Sequence, residues 1–340
     1  MGRAGFNRKT AYATLTMLLA AEAADIDVLW DLRGTVAALQ HHRGITHSFV
    51  GVPFMAAATL LGVYILHRLW LGRRKPRPGF PPVRWTLLYW LALLAGLSHL
   101  LLDYTTAYGI RLFEPFNYRW YSWDIMFIIE PIMLAVLILG LALPWFFGLI
   151  NQEVGTRDKG PRGGIGAIAA LMCVIVLWGY RDFQHRRALN AMSAVTYNGA
   201  TASRIAAYPY WINPYRWLGV VETPDFFQTV AVDSSKPEID PRGDARTYYK
   251  PEETPVTRAA KGSDFGRVYL DWAVFPVVET QPLEGEMKGY LANFKDLRYA
   301  YPGRSVLSGF VLLSPSLQVE EQGMNSDRPE WLKKMQGAGR

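Results

Sequence analysis

The sequence predicts an α-helical membrane bundle of about four transmembrane helices plus a short N-terminal helix, followed by a small, mainly-β soluble domain. Three observations lead there. Four windows are long and apolar enough to cross a bilayer core of about 30 Å at about 1.5 Å per residue. The basic excess is confined to one half: residues 1–180 carry 16 Lys/Arg and 10 Asp/Glu, whereas residues 181–340 carry 20 and 19. Beyond Tyr180 the long apolar windows give way to short runs rich in Val, Phe, Tyr and Trp, separated by Pro, Gly and Asp clusters. The expected domains are therefore 1–180 and 181–340.

The first apolar stretch, Ala11–Ala24, is too short to span alone. With Arg3, Arg8 and Lys9 before it, it mimics a signal peptide. The alternative is a short helix that packs on the bundle. The four spans are Ser48–Leu66 (extending to Trp70), Trp85–Leu102, Ile125–Ile150 and Gly163–Tyr180. Short of that extension, their only Asp, Glu, Lys, Arg or His residues are His99 and Glu130. The loop after the first span holds Arg68, Arg73, Arg74, Lys75, Arg77 and Arg84 and no acid, which marks it as cytoplasmic. Arg157, Lys159 and Arg162 mark the loop after the third span likewise. Segment 25–47, loop 103–124 and everything after 180 then face outward, with Arg181, Arg186 and Arg187 as a mild counter-signal.

In the second half, residues 182–207 read as an exposed helix. Strand-like runs follow at Trp217–Thr223, Phe226–Val232, Val268–Val278, Lys288–Ala300 and Val306–Leu313. Residues 234–264 read as a long polar loop, and the tail after about 320 as disordered. No internal repeat is evident. His185 is expected at the surface, and Asp296 with Arg298 as a structural ion pair. One cysteine among 340 residues excludes a disulfide framework and a Cys-rich zinc module. The net charge of +7 belongs almost wholly to the apolar half, so no nucleic-acid partner is expected.

Chemistry gathers in three short segments: Asp25-Ile26-Asp27, His41 to Ser48, and Ser98 to Thr105. His99 and Asp103 stand four apart near the end of a span, which puts both on one helix face. They can share a divalent cation or bond each other. His42 and His47 flank a Gly-containing turn before the first span, with His41 the less favoured neighbour. Asp25 and Asp27 alternate on what reads as an extended segment, so both face one way, or one of them caps a helix. The charge rule gathers Asp25, Asp27, His42, His47, Asp103 and Asp124 on one membrane face, with His99 at the outer end of its span. Mixed imidazole and carboxylate donors suit zinc, manganese or iron. So many donors leave a two-metal site open.

Three stretches carry a family resemblance: ADIDVLW at 24–30, HRGITHS at 42–48 and SHLLLDYTTAYGIRLFEPF at 98–116. The sequence resembles the bacterial inner-membrane, metal-dependent hydrolases of the YdjM type, the DUF457 family, over residues 8–150. The resemblance implies an integral membrane protein with metal-dependent hydrolase activity. The matching positions are Asp25, Asp27, His42, His47, His99 and Asp103. Two departures stand out. Ala24 replaces a frequent proline, and no histidine precedes His41, where members carry one in an N-terminal helix. A truncated start is the expectation this raises.

The expected mechanism uses one or two divalent ions, zinc or manganese, on Asp25, Asp27, His47, His99 and Asp103. Bound water attacks a phosphoester or acyl bond, with a lipid or lipid-linked substrate reached at the outer face. His42 is a ligand or proton shuttle, and Arg43 a clamp for phosphate or oxyanion. Arg43 can equally pair with Asp27 or Asp31 and only hold the loop. Asp124 and Glu130 are expected to support the ligands from behind, with an inward structural role open for Glu130. Tyr104, Thr105 and Thr106 are expected to pack and cap. The competing class is a non-catalytic membrane protein whose His/Asp cluster, as structural metal or hydrogen-bond core, positions the second domain.

Overall fold

The computed structural model describes residues 1–70, 72, 81–153, 164–236, 238–250, 252–283, 288–301 and 306–332, without the side chains of 145 and 147–153. The basic loop residues Arg73, Arg74, Lys75, Arg77, Arg157, Lys159 and Arg162 lie outside the described residues. Among the described residues eight α-helices follow in chain order: α1 Ala13–Glu22, α2 Thr35–His41, α3 Gly51–Leu69, α4 Trp85–Tyr104, α5 Pro131–Glu153, α6 Gly164–Ser193, α7 Pro255–Gly262 and α8 Asp264–Trp272. The chain forms two compact units. One comprises Met1–Asp27, Arg43–Phe183 and Trp211–Pro214; the other Val28–His42, Gln184–Tyr210 and Tyr215–Arg340.

In the first unit, α3, α4 and α6 are the described helices long and apolar enough to cross a membrane. Within α5 the apolar stretch Pro131–Pro144 is shorter. The window at 125–150 therefore starts as helix later than its hydropathy suggests. Pro131 explains the delay: it suits the first helical turn and drives the residue before it out of the helical region. Short α1 packs on the bundle rather than standing apart. Ala13, Met17 and Ala20 bury against Ala56 of α3 and Leu88, Leu91, Ala92 and Ala95 of α4. Small side chains on these faces let the backbones approach, which is how helices pack when lipid offers no hydrophobic drive.

The second unit holds two four-stranded antiparallel sheets, each in simple sequential order. The first is β1 Arg204–Pro209, β2 Arg216–Glu222, β3 Phe226–Asp233 and β4 Arg246–Tyr249. The second is β5 Pro276–Leu283, β6 Gly289–Asp296, β7 Gly309–Leu313 and β8 Val319–Met324. The end of α6 covers the first sheet: Ala188 and Met192 bury against Trp217, Val221 and Val230.

Several sequence expectations change here. The exposed helix at 182–207 is the continuation of α6 to Ser193, followed by β1, whose Ala206 pairs with Val220. The expected loop at 234–264 contains β4 and α7. The start of Val268–Val278 is helix α8, because Phe265, Tyr269 and Trp272 repeat at helical spacing and all are buried. The capping signals were in plain view: Thr254 accepts from Thr257 N–H ahead of Pro255, and Ser263 accepts from Gly266 N–H. Of the tail after about 320, residues up to Met324 complete β8 and Leu332 is buried; residues 333–340 lie outside the described residues. Asp296 and Arg298 form a fully buried ion pair at 2.8 Å.

Candidate metal centre

The buried stripe of α4 runs Leu88, Leu91, Ala92, Ala95, Gly96 and Leu100, and ends in Asp103. His99 lies four residues before Asp103, so both look inward near the helix end. His47 closes a 3-10 turn, Ile45–His47, immediately ahead of α3. Ser48 ties that turn to the helix: its hydroxyl donates to Ile45 O at 2.8 Å and accepts Gly51 N–H at 2.9 Å. Gly51 is required there, since a Cβ would lie 1.8 Å from Ile45 O. Gly51→Ala should lower the thermal midpoint and the metal content together, at a cost of about 1–3 kcal/mol. Gly62→Ala, with open space around it, should change neither. Equal behaviour of the two variants in a thermal-shift and metal-content assay would refute this role for Gly51.

Asp25 and Asp27 lie on a 3-10 helix, Ala24–Arg33, not on an extended segment. They nevertheless reach the same imidazole from opposite ends. Asp25 Oδ1 is 3.3 Å from His47 Nε2, and Asp27 Oδ2 is 3.3 Å from His47 Nδ1. Thr46 Oγ1 also lies 3.1 Å from Nδ1. On the Nε2 side, His99 Nε2 stands 3.2 Å away. Asp25 Oδ1 is 3.4 Å from His99 Nε2. Asp103 Oδ2 is 3.4 Å from His47 Nε2 and 3.3 Å from His99 Nε2. The donor atoms of Asp25, His47 and His99 all lie within 4.8 Å of one another, close enough to hold a metal ion.

Electrostatics follow from this crowding. Hydrogen bonds from His47 and His99 hold the Asp25 carboxyl well below the usual carboxylate range. Burial works against a charged His47, but hydrogen bonds to Asp25 and Asp27 overcome it and raise its pKa. Asp103 Oδ2 is buried without a hydrogen-bond partner among the described residues, although it faces two ring nitrogens. A buried carboxylate oxygen so placed calls for a cation or a proton.

The donor set fits a transition metal. Two imidazoles and two carboxylates are borderline donors of the kind zinc and manganese accept. A tetrahedral ion bound at roughly 2.0–2.1 Å separates its donors by about 3.3–3.4 Å. Asp27 supplies what a ligating histidine needs on its far nitrogen, a carboxylate that fixes the tautomer.

Arg43 completes the frame. Its backbone, at φ 55, donates N–H to Asp27 Oδ2 at 2.7 Å. Its buried guanidinium pairs with Asp103 Oδ1 at 2.8 Å and donates to Thr106 Oγ1 at 3.1 Å. It also stacks over Tyr108, 4.9 Å from the ring centre. The expected link to Asp27 is thus made by backbone, and the guanidinium is committed to Asp103. Thr105 and Thr106 cap α4 by donating to Leu102 O and Asp103 O.

The other expected residues stand differently. His42 is the C-cap of α2 and belongs to the second unit. His41, in the same unit, stacks on Trp30 at 4.0 Å. Asp124 sits at φ 60 in the segment whose neighbouring N–H groups, of Trp123 and Ile125, bond Tyr104 O and Thr105 O. Glu130 precedes α5 rather than lying one turn inside it, and pairs with buried Arg181 at 3.3 Å. Sequence reasoning missed Gly51 and the ring-orienting position of Asp27. The Ser48-x-x-Gly51 spacing was the readable signal for the first.

The model of the YdjM inner membrane protein family matches residues 2–186. The uncharacterized protein YfhP of Bacillus subtilis (strain 168) is 26% identical over 178 residues, covering 52% of this chain. The match spans 45% of that relative's length. No solved structure matches at a significant level.

Proposed function

Since this chain belongs to the YdjM inner membrane protein family, we propose that it is a multi-pass, metal-dependent hydrolase of the bacterial inner membrane. The observation that supports this most is the convergence of Asp25 Oδ1, His47 Nε2, His99 Nε2 and Asp103 Oδ2 with five separations of 3.2–3.4 Å. These four residues would hold one divalent ion, zinc or manganese. A bound ion supplies an activated water near neutral pH and polarises a phosphoryl or acyl oxygen. Asp27 orients His47 through Nδ1, and Arg43 orients Asp103 through Oδ1. The exposed side of the Asp25 carboxylate is the approach for substrate.

The centre lies at the start of α3 and the end of α4, so it sits at one membrane face. The basic loop between these helices supports an orientation with that face outside the cytoplasm. Arg181 does not oppose this orientation, because Glu130 neutralises it. With α5 and α6 as the third and fourth spans, the residues after α6 share the outer side. A phosphoester or acyl linkage of a lipid or lipid-linked molecule is the substrate class such a position favours.

Detergent-solubilised protein should retain about one transition-metal ion per chain and turn over a phosphoester, ester or phospholipid panel. Tight metal retention with no turnover on any of these would favour the structural alternative. Absence of metal would sink the hydrolase and leave only the hydrogen-bond-core form of that alternative.

Arg43→Gln separates two roles for that residue. If Arg43 positions Asp103, metal affinity should fall about 10–100-fold. A clamp on substrate would instead raise KM and leave metal content intact.

The His47 shift gives a pH dependence. Against the cost of burial, Asp25 and Asp27 raise the His47 pKa above the usual 6.5, which favours the protonated ring in metal-free protein. Metal must displace that proton, so apparent metal affinity should rise with pH. In metal-free protein the His47 contribution to stability is full below its unfolded pKa and lost as pH rises through the folded one. The Asp25 contribution has the opposite sign and is lost on acidification. Isothermal titration at several pH values, in buffers of different ionisation enthalpy, checks the proton release. A pH-independent affinity would contradict it.

A further inference from the structure

The end of the first unit away from the metal centre has a charge pattern of its own. No Asp or Glu precedes Glu22, and none stands between Asp31 and Asp103. The start of α1, the end of α3 and the start of α4 are therefore without acid. Around them stand Arg3, Arg8, Lys9, Arg68 and Arg84, all exposed. None of the five makes an ion pair among the described residues. Packing gathers these cations from separate segments. Thr10 Oγ1 accepts the Arg84 N–H at 2.9 Å, and Ala11 N–H donates to Pro82 O at 3.3 Å. These bonds set the Arg8-Lys9 pair beside Arg84. Tyr12 Oη and His67 Nδ1, 3.1 Å apart, fasten the same point to the end of α3, next to Arg68. Arg3 O and Arg8 Nη2 each lie 3.6 Å from where a Cβ would stand on Gly164, the first residue of α6. Like charges brought together in this way repel, and an anion at the surface relieves the repulsion.

The helix ends indicate which anion. The 19 residues of α3 and the 20 of α4 each measure about 28–30 Å, the thickness of one hydrocarbon core. Arg68 lies in the last turn of α3, and Arg84 immediately precedes α4. Both therefore stand at one edge of the hydrocarbon. An aromatic collar marks the same level. The Trp85 ring meets Tyr64 and His67 edge-on, at 5.2 and 5.4 Å, and Trp70 is 64% exposed. Trp and Tyr favour the depth at which headgroups meet acyl chains. The anions fixed at that depth are phospholipid phosphates, and a basic cluster beside a span draws them by charge. Arginine adds geometry to charge, because its donor fork matches phosphate oxygens.

We propose that Arg8, Lys9 and Arg84 form a binding site for the headgroup of an anionic phospholipid of the phosphatidylglycerol class, at the membrane face opposite the metal centre. The lipid phosphate takes the place of the carboxylates that this end of the unit lacks. It ties the start of α1 to the start of α4. This rests on the multi-pass reading above but needs neither metal nor hydrolytic activity.

Native mass spectrometry of the full chain counts the lipids it retains from mixed micelles of detergent with phosphatidylglycerol or phosphatidylcholine of the same acyl chains. The wild-type chain should retain phosphatidylglycerol several-fold better than phosphatidylcholine. Arg8→Gln, Lys9→Gln and Arg84→Gln combined should abolish that preference. Arg119→Gln, Arg216→Gln and Arg258→Gln combined remove the same charge elsewhere and should preserve it. All six side chains are exposed, so neither triple variant disturbs a core. Equal retention of the two lipids by the wild-type chain would overturn the site. So would an equal loss in both triple variants, since net charge rather than placement would then set the preference. Displacement of the lipid by its soluble headgroup, glycerophosphoglycerol, at comparable concentration would overturn the lipid as occupant. A separate label tests the span. Leu61, in the middle of α3 and 58% exposed, carries a nitroxide as Leu61→Cys with Cys173→Ser in reconstituted vesicles. It should collide more with oxygen than with a water-soluble nickel chelate. The reverse order would overturn the multi-pass reading instead.

Discussion

His99→Ala should leave the purified protein with less than about a tenth of a metal ion per chain, and hydrolytic turnover should vanish with it. His99 Nε2 takes part in three of the five short separations, with His47, Asp25 and Asp103. Without it only two carboxylate oxygens and one imidazole remain. Asp103→Ala should empty the centre equally, for a compound reason. It removes a donor and also strands the buried Arg43 guanidinium, whose partner it is. Breaking a buried pair on one side costs about 3–5 kcal/mol. His99→Ala is therefore the cleaner variant, and Asp103→Ala should show a lower thermal midpoint as well. His67→Ala is the matched control: His67 bonds Tyr12 at 3.1 Å and takes no part in the cluster. Elemental analysis after gel filtration decides the matter. Unchanged metal content in His99→Ala and Asp103→Ala would end the metal-centre reading.

Arg298→Met should destabilise the second unit by about 3–5 kcal/mol while metal stoichiometry stays constant. Arg298 and Asp296 are each only 2% exposed. The Asp296 carboxylate accepts Nε of Arg298 at 2.8 Å and the N–H groups of Val274 at 2.9 Å and Arg298 at 3.0 Å. The guanidinium donates to Trp272 O at 3.0 Å and stacks on the Trp272 ring. The methionine variant fills the volume but leaves a buried carboxylate with only neutral donors. Asp296→Asn combined with Arg298→Met removes the stranded charge and should recover part of the loss. Near-UV circular dichroism of the thermal transition reads the effect. A loss below about 1 kcal/mol would assign the pair no structural weight.

The legible parts of this chain were those that local patterning dictates. Uninterrupted apolar windows became α3, α4 and α6, because a helix is how a chain satisfies its backbone in lipid. The spacing of His99 and Asp103 needed only a helix to bring them to one face. The strand runs at Trp217–Thr223 and Phe226–Val232 became β2 and β3. Illegible parts were those where packing overrode composition. Aromatic-rich Asp264–Trp272 has the residues of a strand, but Phe265, Tyr269 and Trp272 bury only on one face of a helix. Segment 204–209 looked like the end of an alanine-rich helix, and pairing with β2 made it a strand.

By itself the sequence determined a helical membrane unit, a β-rich second part and a short roster of His and Asp residues gathered near one end of two spans. It did so because hydropathy and helical spacing are local properties. Only the tertiary structure decided which atoms face one another. Asp27 turned out to sit behind His47, Arg43 to brace Asp103, and Glu130 to neutralise Arg181. These outcomes depend on the 3-10 turns that carry Asp25, Asp27 and His47 and on the close approach allowed at Gly51. Distances of a few ångströms between residues far apart in sequence are set by packing, which no local pattern encodes.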